Sequence, residues 1–368
     1  MSKTDEKFMR EALRQARKGL GQTSPNPAVG AVIVRGMKIM ATGYHKSAGH
    51  NHAEVEALAK IGGQARKGDT LYVTLEPCNH YGRMPPCTEA IVKSGLKRVV
   101  MGMRDPNPKV SGGGSEFLEE RGIEIKTGIL ESECRRLNEA YIKFITTDRP
   151  FVIAKSALTM DGWTATSTGH SKWITSEKSR QFVHRLRDMV DGVMVGIGTV
   201  LADNPLLTAR LKNRRGKDPI RIIVDSRLRI PHNARVLNHD SPSMTLLAVG
   251  NNVSPDLLKR SEKDGVSAIV CPIKNKRVDL AALMEILGGM SITSLLVEGG
   301  SGIMGSMISE RLIDKFYLIK APKILGGNDG LPMASGTGPK TIDECLGLKD
   351  LQVKRLGNDT LFIGYPDY

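Results

Sequence analysis

No run approaches the ~18 consecutive apolar residues that a helix needs to cross a bilayer, so a membrane-spanning helix is excluded. Cysteine is sparse. Five thiols, Cys78, Cys87, Cys134, Cys271 and Cys345, in a chain of 368 residues make no disulfide framework and leave material for one metal site. Aromatic residues account for only 4% of the chain, so aliphatic side chains must fill the core. The opening segment MSKTDEKFMREALRQARKGL has no apolar h-region and mixes acids with bases. It reads as a surface helix, not a signal or transit peptide, and a cytoplasmic enzyme is the expectation. A charged tail is also missing: the net charge of +14 divides evenly between the two halves of the chain. A basic excess spread in this way suits anionic small molecules such as sugar phosphates and dinucleotides as well as it suits a polynucleotide.

The length favours two domains, and the pattern of elements locates the division. A helix with Phe8, Met9, Ala12, Leu13 and Ala16 on one face stops at Gly19 and Gly21. Strands at 28–34 and 38–43 flank a hairpin turn at Arg35-Gly36; helical spacing follows from His52 to Lys60, then strand TLYVTL, a helix from Thr88 and strand RVVMGM. A helical stretch 131–145 leads into TTDRP, polar and ending in proline, which puts the boundary at Thr147 to Pro150. The expected domains are 1–147 and 148–368. The second alternates again: strands FVIAKSAL, GVMVGI, IRIIVDS, TLLAVG, SAIVC, SLLVEGG and KFYLIKAP, helices at 177–189, 279–287 and 303–312, and a closing hairpin turned at Gly357-Asn358-Asp359. Both halves are therefore α/β.

Three residues in the first half have the makings of a catalytic zinc site. Such a site takes three nitrogen or sulfur ligands and keeps one position open. His52-Ala53-Glu54 opens a helix, Glu76-Pro77-Cys78 ends a strand, and Cys87 follows Pro85-Pro86 at the start of the next helix. Helix N-termini favour the anionic thiolates. Glu54, two residues from a ligand, can take a proton from the activated water and deliver it to a ring nitrogen and a departing amine. His-x-Glu with Pro-Cys is the signature of zinc deaminases, which ordinarily closes as Cys-x-x-Cys; here eight residues separate the cysteines. Taken singly, each residue is as well explained by packing. A closed structural site would need His50 or His80 as a fourth ligand.

The motifs SPNPAVG, GYHKSAGHNHAEVEAL, YVTLEPCNHYGRMPPC, MRDPNPKVSGGG, AKSALTMDGWTA, SKWITS, GIGTVLADNPLLTAR, PIRIIVDS, LLVEGGSG and APKILGG run over nearly the whole chain. In these blocks it resembles the bifunctional riboflavin-biosynthesis deaminase/reductases, whose pattern includes the long cysteine gap. The resemblance implies a cytidine-deaminase-like three-layer α/β/α domain followed by a dihydrofolate-reductase-like α/β domain. It implies zinc-dependent deamination of a diamino-hydroxy-pyrimidine ribosylamino phosphate, then NADPH reduction of the ribosyl group of the product to ribityl. The expected partners are phosphorylated pyrimidines, with no nucleic acid or membrane, and a homo-oligomer is expected only because symmetric assemblies are common. Substrate contacts would fall at Asn26, His45, His80, Arg83, Asp105 and Asn107 in the deaminase. Asn51 stands where the family commonly has proline and Trp163 where a small basic residue is frequent, and neither change removes a catalytic atom.

In the second domain SLLVEGGSGIMGSM carries a strand into Gly300-x-Gly302-x-x-Gly305 and a helix, where backbone amides can meet a phosphate. This comes too late in the domain for a Rossmann fingerprint. By the resemblance, Ala157, Trp173, Thr199, Asp203, Ser226, Gly300, Ser301, Gly302, Ile303, Met304, Gly305 and Ser306 would line the NADPH. Ser171, Arg187, Leu207, Arg210 and Glu298 would face the substrate, with Arg187 and Arg210 suited to its phosphate. Lys155 is a further substrate candidate on its own account, since a lysine in the apolar strand FVIAKSAL needs a reason, and strand-edge snorkelling is the alternative. The rival reading is a zinc deaminase acting on a nucleic-acid base, encouraged by the basic charge but leaving the second α/β domain unexplained.

Overall fold

The computed structural model describes residues 3–81, 85–108, 113–214, 216–238, 240–261 and 264–368. It divides into two compact units, 1–148 and 149–368. The first is built on a five-stranded sheet in the order Lys38–Tyr44, Gly30–Arg35, Asp69–Leu75, Arg98–Met103, Glu124–Lys126. The first three strands pair antiparallel and the last three parallel. Two glycines fix the helices that cover it. A Cβ on Gly30 would fall 2.1 Å from the Ala12 carbonyl oxygen, and one on Gly43 would fall 2.1 Å from that of Ala53. Gly43 pairs with Ala31, the neighbour of Gly30, and successive strand residues face opposite sides. Helix Lys3–Ala16 and helix Ala53–Ala59 therefore lie on opposite faces of the sheet, giving three layers around a core of Val32, Ile33, Leu71, Val73, Val100 and Met101.

The helical stretch expected at 131–145 is two helices, Glu131–Leu137 and Glu139–Thr147. The break has a cause: the Asn138 side chain takes a hydrogen bond from the Ala28 amide (2.8 Å) and gives one to the Ala28 carbonyl (3.1 Å). It thereby ties the chain leaving the unit to the segment entering the first strand, and a residue so used cannot sit mid-helix on a solvent face.

The second unit holds a nine-stranded sheet. Its order is Val266–Cys271, Thr245–Gly250, Ile220–Val224, Gly192–Gly196, Ser294–Val297, Phe151–Leu158, Lys315–Lys320, Asp359–Asp367, Gly347–Leu356. The first seven are parallel and the last two antiparallel. Helix Glu177–Met189 starts at its Ser176 cap as the spacing predicts, whereas the last glycine-flanked helix begins earlier than expected, at Ser301, because Gly300 (φ 23°) makes the turn. This mixed α/β sheet is the dihydrofolate-reductase-like arrangement. Ligands in such sheets gather at the carboxyl ends of the parallel strands.

Gly43 carries the helix that presents His52 and Glu54. Gly43→Ala should force that helix off the sheet, cost about 1–3 kcal/mol and lower the metal content of the purified protein; melting curves and metal analysis check both.

Candidate functional site

His52 caps helix Ala53–Ala59 in an extended conformation, Cys78 lies just beyond strand Asp69–Leu75, and Cys87 is the first residue of helix Cys87–Ser94. These three segments bring one nitrogen and two sulfurs within 4.8 Å of one another, and among the described residues no fourth histidine, cysteine or carboxylate joins them. His52 Nδ1 lies 3.2 Å from Cys87 Sγ and 3.5 Å from Cys78 Sγ. Zinc bonds of about 2.3 Å to sulfur and 2.0–2.1 Å to nitrogen at tetrahedral angles put N and S about 3.5 Å apart, so the donor set fits the ion. A closed structural site is not formed: the His50 ring bonds the Ser47 hydroxyl (2.9 Å), and His80 is exposed.

The electrostatics suit a cation. A hydrogen bond from Cys87, aided by His52, outweighs burial and draws the Cys78 thiol down to about 4. The Cys87 amide also points at Cys78 Sγ (3.4 Å), as helix N-terminal amides do for thiolates. Glu54 is 3% exposed, and its Oε2 has no hydrogen-bond partner among the described residues. Burial, with Cys78 adding, lifts its carboxyl to about 7. A buried carboxylate oxygen with no partner is costly unless something supplied at the site meets it.

Behind the ligands stands His45. Asn26 Nδ2 and His45 Nε2 are 3.2 Å apart, His45 Nδ1 and the Asn51 carbonyl 3.1 Å. Asn26 therefore donates to Nε2 and Nδ1–H donates to Asn51, the neutral form that burial favours. The His45 ring meets that of His52 edge-on at 5.1 Å. Asp105 and Asn107 form a second group: Asp105 Oδ1 accepts from the Asn107 amide (3.0 Å) and the Tyr141 hydroxyl (2.9 Å). Glu76 links this group to the metal side. Two residues before Cys78, its carboxylate accepts from the Asp105 amide (3.1 Å) and from the amide and hydroxyl of Ser115. Sequence reading missed Glu76, Tyr141 and Asn138; only the acid beside Pro77-Cys78 offered a signal. Arg83 lies outside the described residues.

The second unit has a cleft of 1510 Å³ over the carboxyl ends of its central strands, and every reductase residue named from the sequence lines it except Gly305. Gly305 turns away: a Cβ there would fall 1.8 Å from the Ser335 carbonyl oxygen, so this glycine permits close packing. The glycine turn itself is pinned where the Gly300 amide donates to Thr199 Oγ1 (3.1 Å). Ser171 Oγ donates to Asp203 Oδ1 (3.3 Å), and the exposed Trp173 ring stacks with Arg180 at 4.5 Å.

At the centre is a buried ionic group. Glu298 accepts from Arg187 Nη2 (3.0 Å) and Nε and from Lys155 Nζ (3.5 Å). Burial alone would raise its pKa, but Arg187 and then Lys155 hold it at about 2. Lys155 thus sits in its apolar strand because it has a buried counter-ion. Arg187 is engaged by Glu298 and by the Thr208 carbonyl (3.1 Å), which leaves Arg210 the freer guanidinium for a phosphate. His184, also missed from sequence, contacts the Thr208 carbonyl (3.1 Å); burial, then Arg187 and Arg210, push it down to about 4.

Comparison with known proteins decides the family. The model of the RibD C-terminal domain matches residues 150–362, more than half of the chain, and that of the cytidine and deoxycytidylate deaminase zinc-binding region matches 2–103. The riboflavin biosynthesis protein RibD of Actinobacillus pleuropneumoniae is 42% identical over 360 residues, covering 97% of this chain and 94% of that protein. The chain belongs to the RibD family. Its counterpart from Aquifex aeolicus is 43% identical over 355 residues, covering 96% of each chain. Among solved structures, Acinetobacter baumannii RibD superposes with a TM-score of 0.88 at 36% identity, covering 100% of this chain and 99% of that one. The diaminohydroxyphosphoribosylaminopyrimidine deaminase/5-amino-6-(5-phosphoribosylamino)uracil reductase of Thermotoga maritima does so with 0.87 at 36% identity, covering 99% of each chain. RibD membership makes this chain a bifunctional deaminase/reductase of riboflavin biosynthesis, with a zinc-binding deaminase domain and an NADPH-dependent reductase domain.

The depressed His184 pKa has a pH signature. Its folded value of about 4 lies below the ordinary 6.5, so its contribution to stability is complete above pH 6.5 and is lost as pH falls toward 4. The melting temperature should drop between pH 7 and pH 5, and His184→Gln should flatten that drop; scanning calorimetry at the two pH values measures it.

Proposed function

We propose that residues 1–147 deaminate a diaminohydroxyphosphoribosylaminopyrimidine and that residues 148–368 reduce the resulting 5-amino-6-(5-phosphoribosylamino)uracil, the substrates named for the Thermotoga maritima relative. The observation that carries the reading is the buried Glu54 oxygen, without a hydrogen-bond partner among the described residues, beside a group of three donors. His52, Cys78 and Cys87 would hold zinc, which when bound supplies a positive charge that acidifies water. Glu54 takes one proton of the attacking water at Oε2 and passes it to the ring nitrogen, then takes the second and gives it to the amino group, which leaves as ammonia. Asn26, His45, His80, Arg83, Asp105 and Asn107 are assigned to the substrate, with Arg83 suited to its phosphate.

In the reductase half NADPH supplies the hydride, and the chain aligns donor and acceptor carbons. Glu298 pairs with Lys155 and holds it in place at the reacting end, and Arg210, with Ser171 and Leu207, faces the sugar phosphate. Ala157, Trp173, Thr199, Asp203, Ser226 and the turn from Gly300 to Ser306 are assigned to the cofactor. Partners are small phosphorylated pyrimidines. A second copy of the chain is also proposed. Strand Gly347–Leu356 ends the nine-stranded sheet with Leu351 and Val353 54% and 58% exposed, an unpaired edge of the kind that proteins cover. Among the described residues no helix is long and apolar enough to cross a membrane. The zinc thiolates need reducing surroundings, which supports a cytoplasmic location.

Purified protein given the diamino substrate should release ammonia without NADPH and oxidise NADPH only afterwards. Glu54→Gln should slow ammonia release by about a hundred- to ten-thousand-fold while retaining zinc and leaving reduction of the deaminated intermediate intact. Equal loss of both activities in a folded, zinc-loaded variant would contradict separate sites.

A further inference from the structure

His184 is the one histidine among the described residues that line the reductase cleft. It stands on helix Glu177–Met189 one turn before Arg187, and residues three apart on a helix share a face. Both reach the same stretch of chain. From Asn204 to Arg210 that stretch follows no helix or strand, so its backbone groups find partners only where side chains or water supply them.

At its end the partners are side chains. The Thr208 carbonyl accepts from Arg187 Nη1 (3.1 Å), the Ala209 amide donates to Asp218 Oδ1 (2.7 Å), and the Arg210 amide donates to His184 Nδ1 (3.2 Å). Leu207, just before them, is at φ 57°, a left-handed conformation that a residue with a Cβ keeps only where its surroundings impose it. Leu207 and Ala209 are buried and Arg210 is exposed in the cleft. Three consecutive residues are thus fixed by three side chains, and what they carry into the cleft is a guanidinium with no carboxylate partner among the described residues.

The bond to the Arg210 amide needs one form of the ring. His184 Nδ1 also lies 3.1 Å from the Thr208 carbonyl, but that oxygen already has a donor in Arg187, whereas the Arg210 amide has no other acceptor among the described residues. A neutral ring with its hydrogen on Nε2 accepts there; an imidazolium, with hydrogen on both nitrogens, cannot. Burial, then Arg187 and Arg210, keep the ring neutral against the opposing pull of the Thr208 carbonyl and Glu298.

We propose that His184 is a positioning residue of the reductase: by accepting the Arg210 amide, its neutral imidazole sets the segment from Leu207 to Arg210 so that the Arg210 guanidinium meets the phosphate of the substrate. The inference rests on the reductase reading above, which gives Arg210 that phosphate. A guanidinium holds a phosphate through a fork of donors whose geometry must match, so a small displacement of the backbone beneath it costs affinity.

Steady-state reduction of 5-amino-6-(5-phosphoribosylamino)uracil by the full chain tests it. His184→Leu, which leaves the Arg210 amide without its acceptor, should raise KM for this substrate about tenfold, with kcat, KM for NADPH and ammonia release by the deaminase unchanged. His184→Asn, whose amide oxygen takes the place of Nδ1, should recover most of the loss. His184→Gln, whose oxygen reaches the place of Nε2 instead, should behave as Leu does and serves where Leu disturbs folding. In an Arg210→Ala background His184→Leu should add nothing, and the dephosphorylated substrate should show the same KM with and without the His184 change. Additive losses in the double variant, an equal rise in KM for the dephosphorylated substrate, an Asn variant no better than Leu, or no change at all in a folded His184→Leu protein would each overturn the proposal. If the unaltered chain with NADPH does not reduce the phosphorylated substrate, the reductase reading itself fails, an outcome distinct from the others.

Discussion

Three lone-pair donors on three separate segments are held within 4.8 Å of each other, an arrangement that repels itself unless a cation or shared protons occupy the middle. The deaminase unit is organised around bearing that repulsion. Two of the donors sit at helix starts, where unsatisfied amides lend positive charge. The helix carrying His52 cannot drift from the sheet because Gly43 lets its backbone touch the strand. His45 backs the ligand ring through a neutral imidazole fixed by Asn26 and Asn51, the kind of support that orients a ligand. Glu54 keeps a buried oxygen that bonds no protein group among the described residues, which gives the arrangement a chemical use as well as a structural one.

The reductase unit solves a related problem with the opposite sign. Its central charge is a buried carboxylate, and the cost of burying Glu298 is offset by two cations on different strands and helices. Removing either cation would leave an uncompensated buried charge, a loss typically of about 3–5 kcal/mol. This device presents Lys155, inside one strand, and Glu298, just past the end of the neighbouring strand, as a fixed pair. A hydride transfer, in which alignment matters more than acid strength, is served by such rigidity.

Much of this was legible in the chain. Helix Glu177–Met189, the strands of the second sheet and all of the first except Glu124–Lys126 follow from periodicity, and His52, Glu54, Cys78 and Cys87 follow from ligand chemistry placed at element ends. What escaped is of two kinds. Short elements such as Ile197–Asp203 and the hairpin at Ile273–Val278 bury too little to leave a periodic signal. Supporting groups such as Glu76, Tyr141, Asn138 and His184 act through partners 24 to 110 residues away, and no local pattern encodes a distant hydrogen bond. Gly305 illustrates the converse, a residue that completes a phosphate-loop pattern yet serves packing against Ser335.

Charge shows how much the fold adds to composition. The basic excess is even along the sequence, and that evenness does not choose between small anions and a polynucleotide. Folding converts part of it into concentration: Arg180, Arg210, Arg227, Arg229, Arg235 and Lys276 come from distant segments and meet in one cleft. A cleft walled by low-dielectric protein and lined by one sign of charge attracts anions more strongly than the same charges scattered on a convex surface. Glu298 offsets one of the two positive charges of Arg187 and Lys155, so the attraction is weaker there than beside Arg210 or beside Arg227 and Arg229. Within the cleft Lys155, Arg187 and Glu298 are thus the part where positive charge is most nearly offset, and a hydride, unlike a phosphate, gains nothing from being trapped by a cation.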